Sequence, residues 1–188
     1  MPVEIEAKMA VADLDVVRAR LVECGAQPLG KFMEVNTFYD TDDRTLLAGD
    51  RGLRLRLNRN LQTSEEDHIL TYKGPRQPGA LKSREEVELG VEGSAEAMKL
   101  LESLGYHKML AFEKRRESWM LDGCRVELDE LPHLGTYVEV EGPDEPAVMK
   151  ARQKLNLSNS PLIKTGYVAL LTGYLQEHGR STRDIKFP

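Results

Sequence analysis

Residues 3–9 read Val3-Glu4-Ile5-Glu6-Ala7-Lys8-Met9, and the alternation within them decides the fold. In an extended chain, Val3, Ile5, Ala7 and Met9 share one face, and Glu4, Glu6 and Lys8 share the other. The pattern returns along the sequence. Leu53, Leu55 and Leu57 oppose Arg54 and Arg56; Val87 and Leu89 oppose Arg84, Glu86 and Glu88. Val126 and Leu128 oppose Arg125, Glu127 and Asp129; Val138 and Val140 oppose Glu139 and Glu141. Weaker strand segments lie at 32–40, 67–73 and 111–120, which makes about eight strands in all. Helical periodicity is confined to 13–24, 94–104, 144–156 and 162–177. Turns are expected at Gly49-Asp50, Gly74-Pro75, Gly79, Asp122-Gly123 and Gly142-Pro143, and residues 59–66 read as an exposed loop. Helices scattered among antiparallel strands make the class α+β.

The polar faces carry the functional information. A solvated sheet face ordinarily mixes Thr, Ser, Gln and Lys, whereas here it is mostly Glu, Asp, Arg and Lys in like-charged steps. Glu4/Glu6, Arg54/Arg56, Glu86/Glu88, Glu127/Asp129, Glu139/Glu141 and Lys114/Arg116 each point one way and repel. Two architectures accommodate this. One is a twisted sheet with its charged face in water. The other is a sheet of eight strands closed into a barrel, charged face inward, around a lumen wide enough for a small ligand. Such a lumen would gather Lys8, Arg54, Arg56, Lys73, Arg84, Lys114, Arg116 and Arg125 with Glu4, Glu6, Glu86, Glu88, Glu127, Asp129, Glu139 and Glu141. Clustered arginine and lysine suit phosphate oxygens, and clustered carboxylates suit hard divalent ions. Both sets in one cavity point to a metal–triphosphate ligand.

Composition narrows the classes further. The 188 residues suit one domain, with 40% hydrophobic and 30% charged residues, enough for a core. A net charge of −5 disfavours a globally basic nucleic-acid binder. Two cysteines, Cys24 and Cys124, make neither a metal motif nor a disulfide framework, so a reducing cytoplasm is expected. No stretch approaches the roughly 20 apolar residues of a membrane span, and the acidic N-terminus excludes a secretory signal. His68, His107, His133 and His178 are isolated, and Trp119 and Tyr72 read as packing aromatics. A homodimer is compatible with the sequence, though no residue argues for one.

Six elements resemble the CYTH family, the triphosphate tunnel metalloenzymes. They are Glu4-Ile5-Glu6-Ala7-Lys8, Leu53-Arg54-Leu55-Arg56, Lys73-Gly74-Pro75, Arg84-Glu85-Glu86-Val87-Glu88, Lys114-Arg115-Arg116, and Leu128-Asp129 followed by Leu134-Gly135-Thr136-Tyr137-Val138-Glu139-Val140-Glu141. Lys164, before an aromatic helix, adds to them, and the resemblance runs from residue 3 to about 175. It implies a tunnel of eight antiparallel strands flanked by helices, one CYTH domain, and Mg²⁺ or Mn²⁺ as cofactor. It implies that Lys8, Arg54, Arg56, Lys73, Lys114, Arg116 and Lys164 hold the triphosphate, with Lys8, Lys73 and Arg116 serving catalysis. Arg84 is either a further triphosphate contact or an ion-pair partner of the acids. Glu4, Glu6, Glu127, Asp129, Glu139 and Glu141 are the implied metal ligands, while Glu86 and Glu88 either bind metal or brace the bases.

Within the family, Tyr72-Lys73-Gly74-Pro75, Glu113-Lys114-Arg115-Arg116-Glu117 and Leu134-Gly135 look most like the class IV adenylate cyclases, which turn ATP into cyclic AMP and pyrophosphate. Phe38, in Thr37-Phe38-Tyr39-Asp40, stands where the thiamine triphosphatases carry tyrosine. Hydrolysis of tripolyphosphate or another triphosphate is the alternative, and a non-catalytic nucleotide- or polyphosphate-binding module the second. The full acid set argues against a pure binder, which could hold phosphate with bases alone.

Overall fold

A computed structural model of the protein describes residues 3–188. The order is β1 (Val3–Val11), α1 (Leu14–Glu23), β2 (Gln27–Asp40), α2 (Thr45–Ala48), β3 (Gly52–Asn60), β4 (Glu66–Arg76), β5 (Lys82–Val91), α3 (Ser94–Ser103), β6 (His107–Leu121), β7 (Cys124–Leu131), β8 (Gly135–Gly142), α4 (Glu145–Lys154), α5 (Tyr167–Glu177) and β9 (Asp184–Ile185). Neighbours run β2-β3-β4-β5-β1-β8-β7-β6, and β2 pairs back onto β6. All eight pairings of this ring are antiparallel, so the sheet closes into a barrel and has no free edge among these strands. The closed architecture is the one adopted, and the open sheet is excluded. The two-residue β9 lies parallel to β6 on the outside of the ring.

The closing seam runs from Gln27↔Met120 to Asp40↔His107, along the two longest strands. Alternation then sorts the side chains. On β1, β6, β7 and β8 the apolar residues face outward: Ala7 and Met9, Trp119 and Leu121, Val126 and Leu128, Val138 and Val140. They pack under Val17 and Leu21 of α1 and under Val148, Ala151 and Leu155 of α4. α1 begins at Asp13, whose side chain accepts from the Asp15 N–H, and is followed by Gly25 at φ 72. α4 begins at Asp144, which accepts from the Ala147 N–H. Gly142 lets α4 approach the barrel, because a Cβ there would stand 3.0 Å from Val148 Cγ2.

One end of the lumen is also apolar. Leu110, Phe112, Leu131 and Tyr137 point into it and meet Tyr167, Leu171 and Leu175 of α5, which stoppers the barrel. α5 starts at Tyr167, five residues later than its hydrophobicity suggests. Residues 162–166 instead form no regular element and are tied to β1, where the Ile163 N–H donates to the Lys8 carbonyl. Gly74-Pro75 is not a turn either. It lies inside β4, in a bulge between Lys73 and Arg76, and the chain reverses at residues 77–81. The Asp122-Gly123 reversal is as expected, with φ 50 and 80 suited to a two-residue hairpin. The short α2 follows from Asp40, whose carboxylate accepts from the Leu46 and Leu47 N–H groups.

Leu128 is 1% exposed in the outer core. Leu128→Ala is expected to cost about 2–5 kcal/mol of folding stability, measured by urea denaturation.

Candidate functional site

The charged faces of the strands converge on a cavity of about 1070 Å³ whose lining extends to α2 and α5. Behind its wall stands Glu34 of β2, 2% exposed, among cations that do line it. Its carboxylate is 3.0 Å from Lys114 Nζ, 3.4 Å from Arg56 and 3.8 Å from Arg116. Burial alone would raise the Glu34 pKa, but these three cations outweigh it and hold the group well below the usual carboxylate range. Asn36 links the same groups, donating to Glu34 at 3.1 Å and accepting from Arg56 Nε at 3.0 Å. Arg116 donates to Asp129 at 2.7 and 2.6 Å and to Glu139 at 2.7 Å. Glu139 is also 3.3 Å from Lys8. Burial pushes its carboxyl up, Lys8 and Arg116 pull it further down, and it ends well below its ordinary value.

Tyr167 closes this belt from α5. Its hydroxyl donates to Asp129 at 2.9 Å, and Lys8 Nζ sits 3.9 Å from the centre of its ring. Asp129 lies behind Arg116, fully buried, and is not part of the cavity wall. Glu127 does line the cavity and accepts from Ser118 Oγ at 2.5 Å.

A second group is dominated by carboxylates. Glu4 and Glu6 of β1 adjoin Glu141 of β8, which faces Glu6 directly in the register. Burial, then Glu4 and Glu6, pushes the Glu141 carboxyl up to about 7. Glu6 is raised by burial and Glu139 against the pull of Lys82, whose Nζ lies 2.6 Å away. Glu4 is raised by burial and Glu86, although Lys73 stands 3.6 Å off. Lys73 is itself ion-paired to Glu86. One Glu4 carboxylate oxygen is buried without a hydrogen-bond partner.

The wall of β3, β4 and β5 shows the complementary deficit. Arg54 donates to Thr71 at 2.9 Å and lies 3.3 Å from Glu88, yet its Nε is buried and unpartnered. Burial and Arg56 lower its pKa to about 10. Burial and Arg54 likewise lower Lys73, and burial and Arg116 lower Lys114. Arg84 also has an unpartnered, buried Nε. Glu88 is half exposed at the rim, and Arg125 is largely exposed. Lys164 is at the mouth, donating to the Gly79 carbonyl at 2.9 Å.

Glu34, Asn36, Lys82 and Tyr167 join the site without having stood out in the sequence. Glu34 and Asn36 share the inward face of residues 32–40, but Phe38 follows them on it and breaks the charge pattern. Lys82 is masked by its place at the end of a reversal, and Tyr167 by the apolar run around it.

The donor chemistry suits a divalent cation. Among the described residues no three acids stand at coordination distance from a common point, because most are turned onto lysine or arginine. The Glu4, Glu6 and Glu141 group nonetheless carries more negative charge than its neighbours neutralise, and one of its oxygens is orphaned. The Nε atoms of Arg54 and Arg84 lack acceptors nearby, Arg84 being the register partner of Glu4. A cation bound to a phosphate chain answers both deficits at once.

A closed barrel whose interior holds interleaved acids and bases defines a charge-lined tunnel. The chain belongs to the CYTH domain family, which matches it over residues 2–167. The family acts on small-molecule triphosphates and implies a divalent metal. A protein of Methanocaldococcus jannaschii, provisionally named an adenylate cyclase, is 24% identical over 177 residues, covering 89% of this chain and 98% of that one. The adenylate cyclase CyaB of Aeromonas hydrophila is 26% identical over 155 residues, covering 81% of this chain and 76% of its own. Among solved structures, the PH1819 protein of Pyrococcus horikoshii superposes with a TM-score of 0.77 at 25% identity, over 91% of this chain and 99% of that one.

Because the folded-state pKa of Glu141 is raised from 4.5 to about 7, the carboxyl contributes stability that is fully present below about 4.5 and lost as pH rises through 7. Glu141→Gln is therefore expected to stabilise the metal-free protein by about 2 kcal/mol near pH 8, discounted for partial exposure, and to change nothing near pH 4. Denaturant midpoints with a chelator present, taken at both pH values, check this.

Proposed function

We propose that this protein is a divalent-metal-dependent enzyme of the class IV adenylate cyclase kind, converting ATP to cyclic AMP and pyrophosphate inside the barrel. The observation that carries the reading is the pair of opposite deficits in one cavity: orphaned arginine donors beside over-crowded carboxylates. The adenylate cyclase names of the two relatives support the choice of reaction.

In this reading Arg54, Arg56, Lys73, Lys114, Arg116 and Lys8 hold the phosphate chain, and Lys164 and Arg84 meet it toward the mouth. Arginine suits the bidentate contacts, and the low dielectric of the lumen strengthens each of them. Glu4, Glu6, Glu139 and Glu141 hold Mg²⁺ or Mn²⁺, with Glu86, Glu88 and Glu127 at the margins. Asp129 acts behind them, fixing Arg116 and Lys114. The bound cation supplies charge neutralisation and lowers the pKa of an attacking hydroxyl. Glu34 and Asn36 keep Arg56 splayed into the lumen, so that the guanidinium is set before the ligand arrives. The bases also offset charge gathering on the departing pyrophosphate. The substrate is a free small molecule, with neither nucleic acid nor membrane taking part, in the cytoplasm.

Phosphorus NMR of the protein with Mg²⁺ and ATP, and separately with tripolyphosphate, tests the reading. Cyclic AMP with pyrophosphate is the expected product. Orthophosphate would instead make the enzyme a triphosphatase, and no product from either substrate would leave a binding module. Glu139→Ala is expected to abolish metal-dependent turnover, on the order of 10³-fold or more. Arg56→Ala is expected chiefly to raise KM, by about 10–100-fold.

A further inference from the structure

Every inward arginine of the barrel except one has a carboxylate within hydrogen-bonding range. Arg56 has Glu34, Arg116 has Asp129 and Glu139, and Arg54 has Glu88. Arg84 is the exception: it is nine-tenths buried, its Nε has no partner, and the nearest carboxylate, Asp50, is 3.6 Å from its guanidinium. A buried guanidinium so poorly matched is a receptor for an anion.

The residues around it are arranged to complete such a receptor. The bulge at Gly74-Pro75 brings Arg76 of β4 opposite Arg84 of β5 in the register. Asp50 sits between them in a left-handed conformation, φ 51. Its carboxylate accepts from the Arg76 backbone N–H at 2.9 Å and from Arg76 Nε at 2.9 and 3.0 Å. The hydrogen bond from Arg76 keeps Asp50 ionised well into acid. One carboxylate thus orients two guanidinium groups without neutralising both. The terminal amino groups of Arg76 make no hydrogen bond among the described residues, and both Arg76 and Asp50 are half exposed at the cavity mouth.

We propose that Arg76, braced by Asp50 and set beside Arg84, forms an anion subsite at the tunnel mouth that receives a phosphoryl group beyond the three in the lumen, so that linear polyphosphates longer than three units are ligands of this protein. The proposal rests on the lumen holding a triphosphate. Arg84 then lies at the last phosphate of a triphosphate, and Arg76 contacts only a longer chain.

Calorimetric titration with tripolyphosphate and with linear tetraphosphate, in excess Mg²⁺ at fixed ionic strength, tests this. A tetraphosphate can occupy the lumen in two registers, which alone gives about twofold tighter binding; an added guanidinium contact is expected to bring the ratio to about tenfold. Arg76→Gln is expected to return the ratio to about two while leaving tripolyphosphate affinity unchanged. Arg180→Gln removes a charge elsewhere on the mouth and should leave the tenfold ratio in place. A ratio of about two in the unmodified protein would overturn the proposal, as would a ratio that survives Arg76→Gln or falls equally with Arg180→Gln. Failure of both chains to bind would overturn the triphosphate reading, and this subsite with it.

Discussion

The structure depends on placing opposite charges in alternation across neighbouring strands, so that a water-poor interior can hold them. Isolated charges in such a place would each cost several kcal/mol. Glu34 on β2 meets cations from β3 and β6, Arg116 on β6 meets acids from β7 and β8, and Glu139 on β8 meets Lys8 on β1. Each strand thus satisfies its neighbour. The outer apolar faces can then pack on α1 and α4 as the sides of an ordinary sheet would. The barrel is inside-out in polarity, but not in the physical rule it obeys.

The balance is local and incomplete, and its incompleteness is what makes the interior chemically useful. Around Glu34 and Arg116 the pairs close on themselves. Toward β1, β8, β5 and β3 they do not: Glu4, Glu6 and Glu141 crowd together while Arg54 and Arg84 keep idle donors. The first region is a rigid frame. The second has affinity left over for ions of both signs. Asp129 shows the division of labour, since it lies outside the cavity wall and still fixes Arg116, Lys114 and Tyr167.

Much of the architecture was legible because alternation with period two is a direct imprint of a two-faced strand. Glu4-x-Glu6-x-Lys8 and Glu139-x-Glu141 gave their strands and their inward faces away. Closure was not written in any one segment. It depends on β2 meeting β6 along Gln27–Asp40, and residues 27–31 carry no period-two signal. Glu34 and Asn36 were hidden for a related reason: Phe38 continues their face into the apolar layer beneath α5, so the segment reads as mixed. Gly74-Pro75 looked like a reversal because that pair usually makes one, but the missing Pro75 N–H is tolerated here at a bulge. Residues 162–166 carry enough apolar character for a helix, but form none where the Ile163 N–H bonds to the Lys8 carbonyl of β1.

The seam between β2 and β6 joins segments separated by β3, β4, β5 and α3, and two of the three cations held by Glu34 lie across it on β6. Until that seam forms, Glu34 and its partners remain hydrated on an open, curling sheet, and the chain entropy of joining distant segments has been spent before the buried ion pairs return anything. A ring closed through such distant pairings is expected to fold slowly for its length, and its interior dries only when the cylinder is complete.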